Sequence, residues 1–343
     1  MRRRYQLNVV VLICAFSFHA RTLSDRQSLD ALSPVATFSI VALDPATGDL
    51  GVAVASRYFS VGAVVPWAEA GVGAVATQAN VNVGYGPRAL ELLRQGLTAQ
   101  QALEKLLAED FFPGKNGRQV CIVDARGNIA TYTGPEAPPW AGHVIGKTWS
   151  AQGNILVGPQ VVEAMGKAFE ATPGELAEKL YAALEAGDRA GGDARGRQSA
   201  SMLVVRKQGG RNLNNDRYIY INVDDHPNPL GELKRLLNLN LYYLGLDRAH
   251  KLLNERRFIE AREAAAKAVT YAPEKAEGYM TLGLVSYLAG DKPSALKAFL
   301  TAKALNPNFQ RDWEALSRFR ATAMRALLED QEFLRQLFGS LPK

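Results

Sequence analysis

Residues 37–56 read TFSIVALDPATGDLGVAVAS. Thr37 to Leu43 alternates polar and apolar side chains, Asp44 to Asp49 is turn chemistry, and Leu50 to Ser56 is again strand-like. Period-two alternation on both sides of a turn predicts a β-hairpin. The same grammar returns along the chain. Gly71 to Gln78 predicts a further strand, with glycines where another backbone approaches closely. Gln119 to Asp124 and Asn128 to Thr133 flank Ala125-Arg126-Gly127 as a second hairpin, and Thr148 to Val157 is a later strand. Ser199 to Arg206 and Tyr218 to Val223 are late strands around a Gly/Asn-rich turn.

Between these strands the period lengthens. Pro87 to Gln95, Thr98 to Glu109, Pro159 to Glu170, Pro173 to Ala186 and Pro229 to Leu241 carry apolar residues at helical spacing. Thr98 followed by Gln101 fits a capping box. Hairpins outnumber βαβ units, so the expected class is α+β, with mainly antiparallel sheets and helices layered outside. No glycine-rich phosphate loop joins a strand to a helix, so no cofactor is expected.

The chain has 343 residues, enough for two domains, and a formal net charge of +6. Five arginines and two aspartates fall in residues 1–36, so about half of that excess belongs to the first 36 residues. No Lys/Arg stripe with interleaved aromatics occurs, which argues against nucleic acid as a partner. Arg2 to Arg4, the apolar stretch Val9 to Phe18 and the small residues beyond predict a secretory leader in residues 1–36, cut near residue 20 or after Ala36, and hence an exported protein. Its removal leaves Cys121 as a lone thiol, read as a small buried hydrophobe, and no histidine or cysteine pair has metal-site spacing.

Residues 242–310 repeat with a period of 34: Ala261, Ala268 and Pro273 return as Ala295, Ala302 and Pro307. Tyr279, Leu282-Gly283, Gly290, Ala295, Phe299, Ala302 and Pro307 resemble the tetratricopeptide repeat, which implies an all-α region of two repeats able to present a surface to a protein or peptide partner. Residues 311–343 are expected to form a helical cap.

Polar groups and glycine concentrate at Thr37, at Gln78 and Asn80, at Gln152 and Asn154, and in the loop from Gly187 to Ser199. That loop holds Asp193, Arg195 and Gln198. Arginine recognises carboxylate bidentately, and a flanking aspartate can fix its plane. An alternative reading is a surface loop with internal ion pairs. Asp224-Asp225-His226-Pro227 reads as a strand exit with an aspartate capping the next helix. His143 and His250 read as structural.

The blocks TFSIVALDPATGDLGVAVAS, VGAVVPWAEAGVGAVATQA, QGNILVGPQVVEAM, LEAGDRAGGDARGRQSASMLVV and NDRYIYINVDDHPNPLGELKRLL, in order over residues 36–240, resemble the bacterial family called domain of unknown function 1028. The resemblance implies a four-layer αββα sandwich similar to N-terminal-nucleophile (Ntn) hydrolases over residues 37–241, followed here by the tetratricopeptide-like region. It implies Thr37 as nucleophile, with its own free α-amine as base. On this expectation Asn154 or Gln152 supplies an oxyanion donor and Arg57 lowers the amine pKa. Gln78, Asn80, Asp193, Arg195 and Gln198 orient a small amide or peptide-like substrate. The family pattern starts Met-Thr, whereas thirty-six residues precede Thr37 here, so activity of this kind demands cleavage after Ala36. The alternatives are a catalytically inactive Ntn-like binding protein and a cell-envelope interaction module; self-association into a homo-oligomer is a further candidate state.

Overall fold

The computed structural model describes residues 37–339; the expected leader and its two cleavage points lie outside the described residues. The opening hairpin is β1 (Thr37–Asp44) and β2 (Asp49–Ser56), paired in unbroken register from Thr37 with Ser56 to Asp44 with Asp49. Its turn is closed by Asp44, whose carboxylate accepts from the Ala46 amide at 2.9 Å, and by Gly48 at φ +75°, a conformation glycine adopts without strain.

Around this hairpin lies a six-stranded antiparallel sheet. Its remaining strands are β7 (Gly142–Ile145), β8 (Trp149–Asn154), β9 (Ser199–Val205) and β10 (Arg217–Val223), in the order β10-β9-β2-β1-β8-β7. A second antiparallel sheet holds β3 (Pro66–Glu69), β4 (Gly73–Ala79), β5 (Arg118–Asp124) and β6 (Ile129–Thr133) in sequential order. Two strands, β3 and β7, are not expected from the sequence. Each has only four residues, too few for alternation to register. The strand expected to reach Val157 stops at Asn154, because Ile155 turns to φ +52° and Leu156 bridges to Asp193. That stop places Asn154 at the rim of the sheet.

Side chains alternate faces along each strand, which sorts three cores. Val41, Leu43, Leu50, Val52, Val54, Ala74, Ala76, Cys121, Val123, Leu203 and Val205 meet between the sheets. The outward face of the larger sheet (Phe38, Ile40, Ala53, Ala151, Met202) packs on α3 (Gln160–Ala171), α4 (Leu176–Arg189) and the first half of α5 (Pro229–Asn254). Val75, Val120 and Ile122 of the smaller sheet pack on α1 (Tyr85–Arg94) and α2 (Ala99–Glu109). Thr98 and Gln101 form the expected capping box at α2. α5 is capped by Asn228, whose side-chain oxygen accepts from the Gly231 amide at 3.1 Å, and not by an aspartate.

α5 runs through residues 241 and 242, the expected domain limit, and joins a helical C-terminal region of α6 (Phe258–Tyr271), α7 (Ala276–Leu288), α8 (Lys292–Leu305), α9 (Phe309–Phe319), α10 (Ala321–Glu329) and α11 (Gln331–Phe338). Successive helices pack pairwise from α5 to α8. Gly283 of α7 lies where a Cβ would stand 2.8 Å from the Phe299 ring of α8, so the absent side chain sets how closely those two helices approach.

Candidate active site at the polar rim of the two sheets

The apolar layer between the sheets ends abruptly at one rim. Thr37 opposes Asn154 on one side and Ser56 on the other, and Ser56 opposes Ser199. Directly opposed residues on neighbouring strands share a face, so Asn154, Thr37, Ser56 and Ser199 form one polar row across β8, β1, β2 and β9. All four are buried. The next row inward pairs Ser39 with Gln152, and Gln78 and Gln119 reach in from the smaller sheet.

These groups are joined by hydrogen bonds. Thr37 Oγ1 donates to Ser56 Oγ at 3.2 Å. The Gln78 amide donates to the Thr37 carbonyl at 3.3 Å and to Gln119 Oε1 at 2.8 Å, while Gln78 Oε1 accepts from Ser39 at 2.6 Å. Gln152 donates to Ser39 at 2.7 Å and accepts from Ser150 at 3.2 Å. Gln119 Nε2 donates to Thr133 Oγ1 and to the carbonyls of Gly142 and Gly153. Asn154 Nδ2 donates to Gln119 Oε1 at 3.2 Å, and Asn154 Oδ1 is buried with no hydrogen-bond partner among the described residues. A buried acceptor left so costs free energy unless a further group arrives.

A second cluster adjoins Ser56. Asp193, with its side chain 1% exposed, accepts from the Arg57 amide at 2.9 Å, from the Arg195 amide at 2.9 Å and from the Arg195 guanidinium at 3.1 Å. The Arg57 guanidinium donates to the Arg195 carbonyl at 2.8 Å. Asp188 and Arg197 pair through two bonds of 2.6 and 2.9 Å, and that hydrogen bonding raises the arginine pKa above its ordinary value. The Gln198 amide donates to the Ser56 carbonyl, and its side chain donates to Asp225. The loop is held by Gly191, Gly192 and Gly196, all at positive φ. A cavity of about 340 Å³ opens here, lined in part by Ser56, Phe38, Asp193, Arg197 and Leu230.

Thus Thr37, Gln78, Gln152 and Asn154 share one hydrogen-bonded chain, and Arg57, Asp193, Arg195 and Gln198 gather beside it. Asn80 is not tied into this chain. Its carboxamide donates to the Gly114 carbonyl, next to the buried Arg118–Asp110 pair. His143 bonds Thr133 at 2.8 Å, with burial drawing its pKa below the ordinary value, and His250 bonds Thr281. Burial pushes the Cys121 thiol up to about 11, as befits a core residue. Sequence reasoning misses Ser39, Ser56 and Gln119, and takes in Ser199 only as the end of the polar loop. The available signal is polar side chains at alternate positions of otherwise apolar strands, as in Thr37 and Ser39 ahead of Val41 and Leu43.

Fold and site together define a mixed α+β protein of two stacked antiparallel sheets with a hydroxyl- and amide-lined rim. The chain belongs to the family described as "Family of unknown function (DUF1028)", whose model matches residues 37–233. It is similar to protein SPO2555 from Silicibacter pomeroyi, whose crystal structure is assigned to the same family model, with 34% identity and a TM-score of 0.54, covering 59% of this chain and 84% of that one. No curated protein matches the chain.

Proposed function

We propose that residues 37–241 form an Ntn-type amidohydrolase, a four-layer αββα sandwich in which Thr37 becomes the nucleophile after cleavage behind Ala36. The freed α-amine takes the Oγ1 proton as Oγ1 attacks the substrate amide carbon. The C–N bond then breaks, the proton passes to the departing amine, and water hydrolyses the resulting ester. The observation that carries this reading is the place of Thr37: first residue of a central strand, hydrogen-bonded to Ser56 and paired with Asn154, whose side-chain oxygen has no partner among the described residues. Asn154 as oriented offers an acceptor, so service as an oxyanion donor requires its carboxamide to turn. Gln152 has both amide ends engaged and holds Ser39 in place. In this reading the protein is exported, and residues 242–310 are two tetratricopeptide-like repeats that offer a surface to a protein or peptide partner.

N-terminal sequencing of the protein recovered from its producing cell is expected to start at Thr37. Thr37→Ala is expected to leave the circular dichroism spectrum unchanged and to lower turnover of a small amide by about 10³-fold or more. A mature chain starting near residue 21 that hydrolyses amides at full rate overturns the reading.

A further inference from the structure

The oxygen of the Asn154 carboxamide is identified by groups that cannot exchange roles. The carbonyls of Gly142 and Gly153 only accept, so the Gln119 amide nitrogen faces them and Gln119 Oε1 faces Gln78 and Asn154. That oxygen only accepts in turn, so Asn154 gives it Nδ2 and holds Oδ1 elsewhere, buried and without a partner among the described residues. Turning the Asn154 carboxamide would set two oxygens against each other inside the protein. Asn154 is thus fixed as an acceptor.

The ladder between β1 and β8 brings the Thr37 nitrogen to the same place. Along an antiparallel pair, opposed residues that exchange main-chain hydrogen bonds alternate with residues that exchange none. The Leu43 amide donates to the Thr148 carbonyl at 2.9 Å, in the register that pairs Ala42 with Trp149. Counting every second residue from Leu43, Val41, Ser39 and Thr37 are of the bonded kind, so the Thr37 nitrogen points across to Asn154. Towards β2, Thr37 and Ser56 are then of the other kind, whose side chains come closer, in keeping with their hydroxyl contact of 3.2 Å. Opposed side chains share a face, so the Asn154 carboxamide stands over the pair to which that nitrogen belongs. In the uncut chain the Thr37 nitrogen carries a single hydrogen, and the ladder uses it. Hydrolysis of the Ala36–Thr37 bond makes it an amine with further hydrogens, which need acceptors where water is excluded.

We propose that Asn154 is the positioning residue for the α-amine of Thr37: Oδ1 accepts from the nitrogen that cleavage frees. Held by Oδ1 and by the Asn154 main-chain carbonyl, the amine keeps its remaining position, the lone pair of the neutral form, for the proton of Thr37 Oγ1. The assignment deepens the nucleophile reading and rests on it for the cut before Thr37. The orientation of the carboxamide rests on the hydrogen bonds alone.

The test uses the processed chain that starts at Thr37. Its crystal structure is expected to place the Thr37 nitrogen about 3 Å from Asn154 Oδ1, with Nδ2 still on Gln119. Nitrogen NMR of the chain labelled at threonine then follows the amine through its titration. A bond to the ammonium favours the charged form, so Asn154→Leu is expected to titrate about one pH unit below the natural protein. Asn154→Asp keeps an oxygen at this point and is expected to titrate no lower than the natural protein. The charged and titratable groups around the rim, Arg57, the Asp193–Arg195 pair beyond Ser56 and His143 on Thr133, are common to all three proteins. Should a variant fail to fold, the crystal structure of the natural protein decides. A nitrogen more than about 4 Å from Oδ1, a turned carboxamide, equal titration in the natural and Asn154→Leu proteins, or the same lowering in both variants overturns the proposal. An amine placed and titrating as expected in a protein that hydrolyses no amide leaves the placement standing and removes the catalytic reading. Hydrolysis with titration unaltered in Asn154→Leu does the reverse, and a mature chain starting near residue 21 removes both.

Discussion

Both ends of the Gln119 carboxamide are engaged inside the protein. Its nitrogen serves Thr133, Gly142 and Gly153, and its oxygen takes bonds from Gln78 and Asn154. Gln78 in turn holds the Thr37 carbonyl, so Gln119 fixes Thr37 through one intermediary. Gln119→Ala strips the partner from several buried groups at once. Each costs about 1–3 kcal/mol when left unmet. Urea unfolding is therefore expected to show a loss of about 3 kcal/mol in Gln119→Ala, and in Gln119→Glu a loss that grows as pH rises, because its buried carboxylate, once ionised, faces the Gly142 and Gly153 carbonyls. A loss in Gln119→Glu that does not change with pH, together with little loss in Gln119→Ala, would mean that the site is held by packing and not by this amide. Much of the rim was legible beforehand: Thr37, Gln78, Gln152 and Asn154 stand out as polar residues in apolar strands. Gln119 did not, because from the sequence it is the first residue of its strand and reads as a loop edge, whereas β5 already begins at Arg118. The link from β5 to β1 is a contact between two sheets, and local alternation carries no record of which sheet faces which.

At the level of elements, α4 shows how a helix start doubles as a docking point. Glu175 caps it in a capping box with Glu178. The same carboxylate accepts from Tyr218 of β10 and, at 2.7 Å, from Lys267 of α6. Arg206, stacked 3.7 Å over the Tyr218 ring, completes the group and pairs with the buried Asp49. Burial alone raises the Glu175 pKa, but the hydrogen bonds from Lys267 and Tyr218 and the charges of Lys267 and Arg206 outweigh it and hold the carboxyl below its ordinary value. A carboxyl depressed on folding contributes stability that is present above its unfolded pKa, near 4.5, and that fades as pH falls through the lower folded value. The melting temperature should therefore drop as pH is lowered below about 4.5, and the drop should be shallower in Glu175→Gln; parallel curves for the two proteins would assign the acid sensitivity to other carboxylates. Sequence pattern located α4 and its neighbours because long amphipathic segments carry their period openly. It missed β3 and β7, whose four residues apiece are specified by pairing with β4 and β8.

At the level of the molecule, α5 is the shared beam. Leu230, Leu233, Leu237, Leu241 and Leu244 belong to the core under the larger sheet. Tyr242 and Leu246 pack with α6, and Ala249, Leu252 and Leu253 enter the core of the helical region. The period change near residue 242 is real in the sequence, yet it marks a change of neighbours along one uninterrupted helix and not a linker. Gly245 lets α6 come close, since a Cβ there would stand 2.8 Å from that of Ala268. The helical region is thus an extension of the sheet domain, held also by Lys267 on Glu175 and Tyr271 on Glu178. A chain ending at residue 241 should lose the buried Leu244 and both α6 contacts, whereas one ending at residue 273 keeps all three. Burying one leucine contributes about 1.5–3 kcal/mol and partly exposed polar contacts add little, so the shorter chain should unfold in urea with at least about 1.5 kcal/mol less stability. Should the two truncations unfold at the same urea concentration, the second half of α5 and all of α6 would be independent of the sheets, and any partner bound by the helical region would then act on the rim around Thr37 only through proximity.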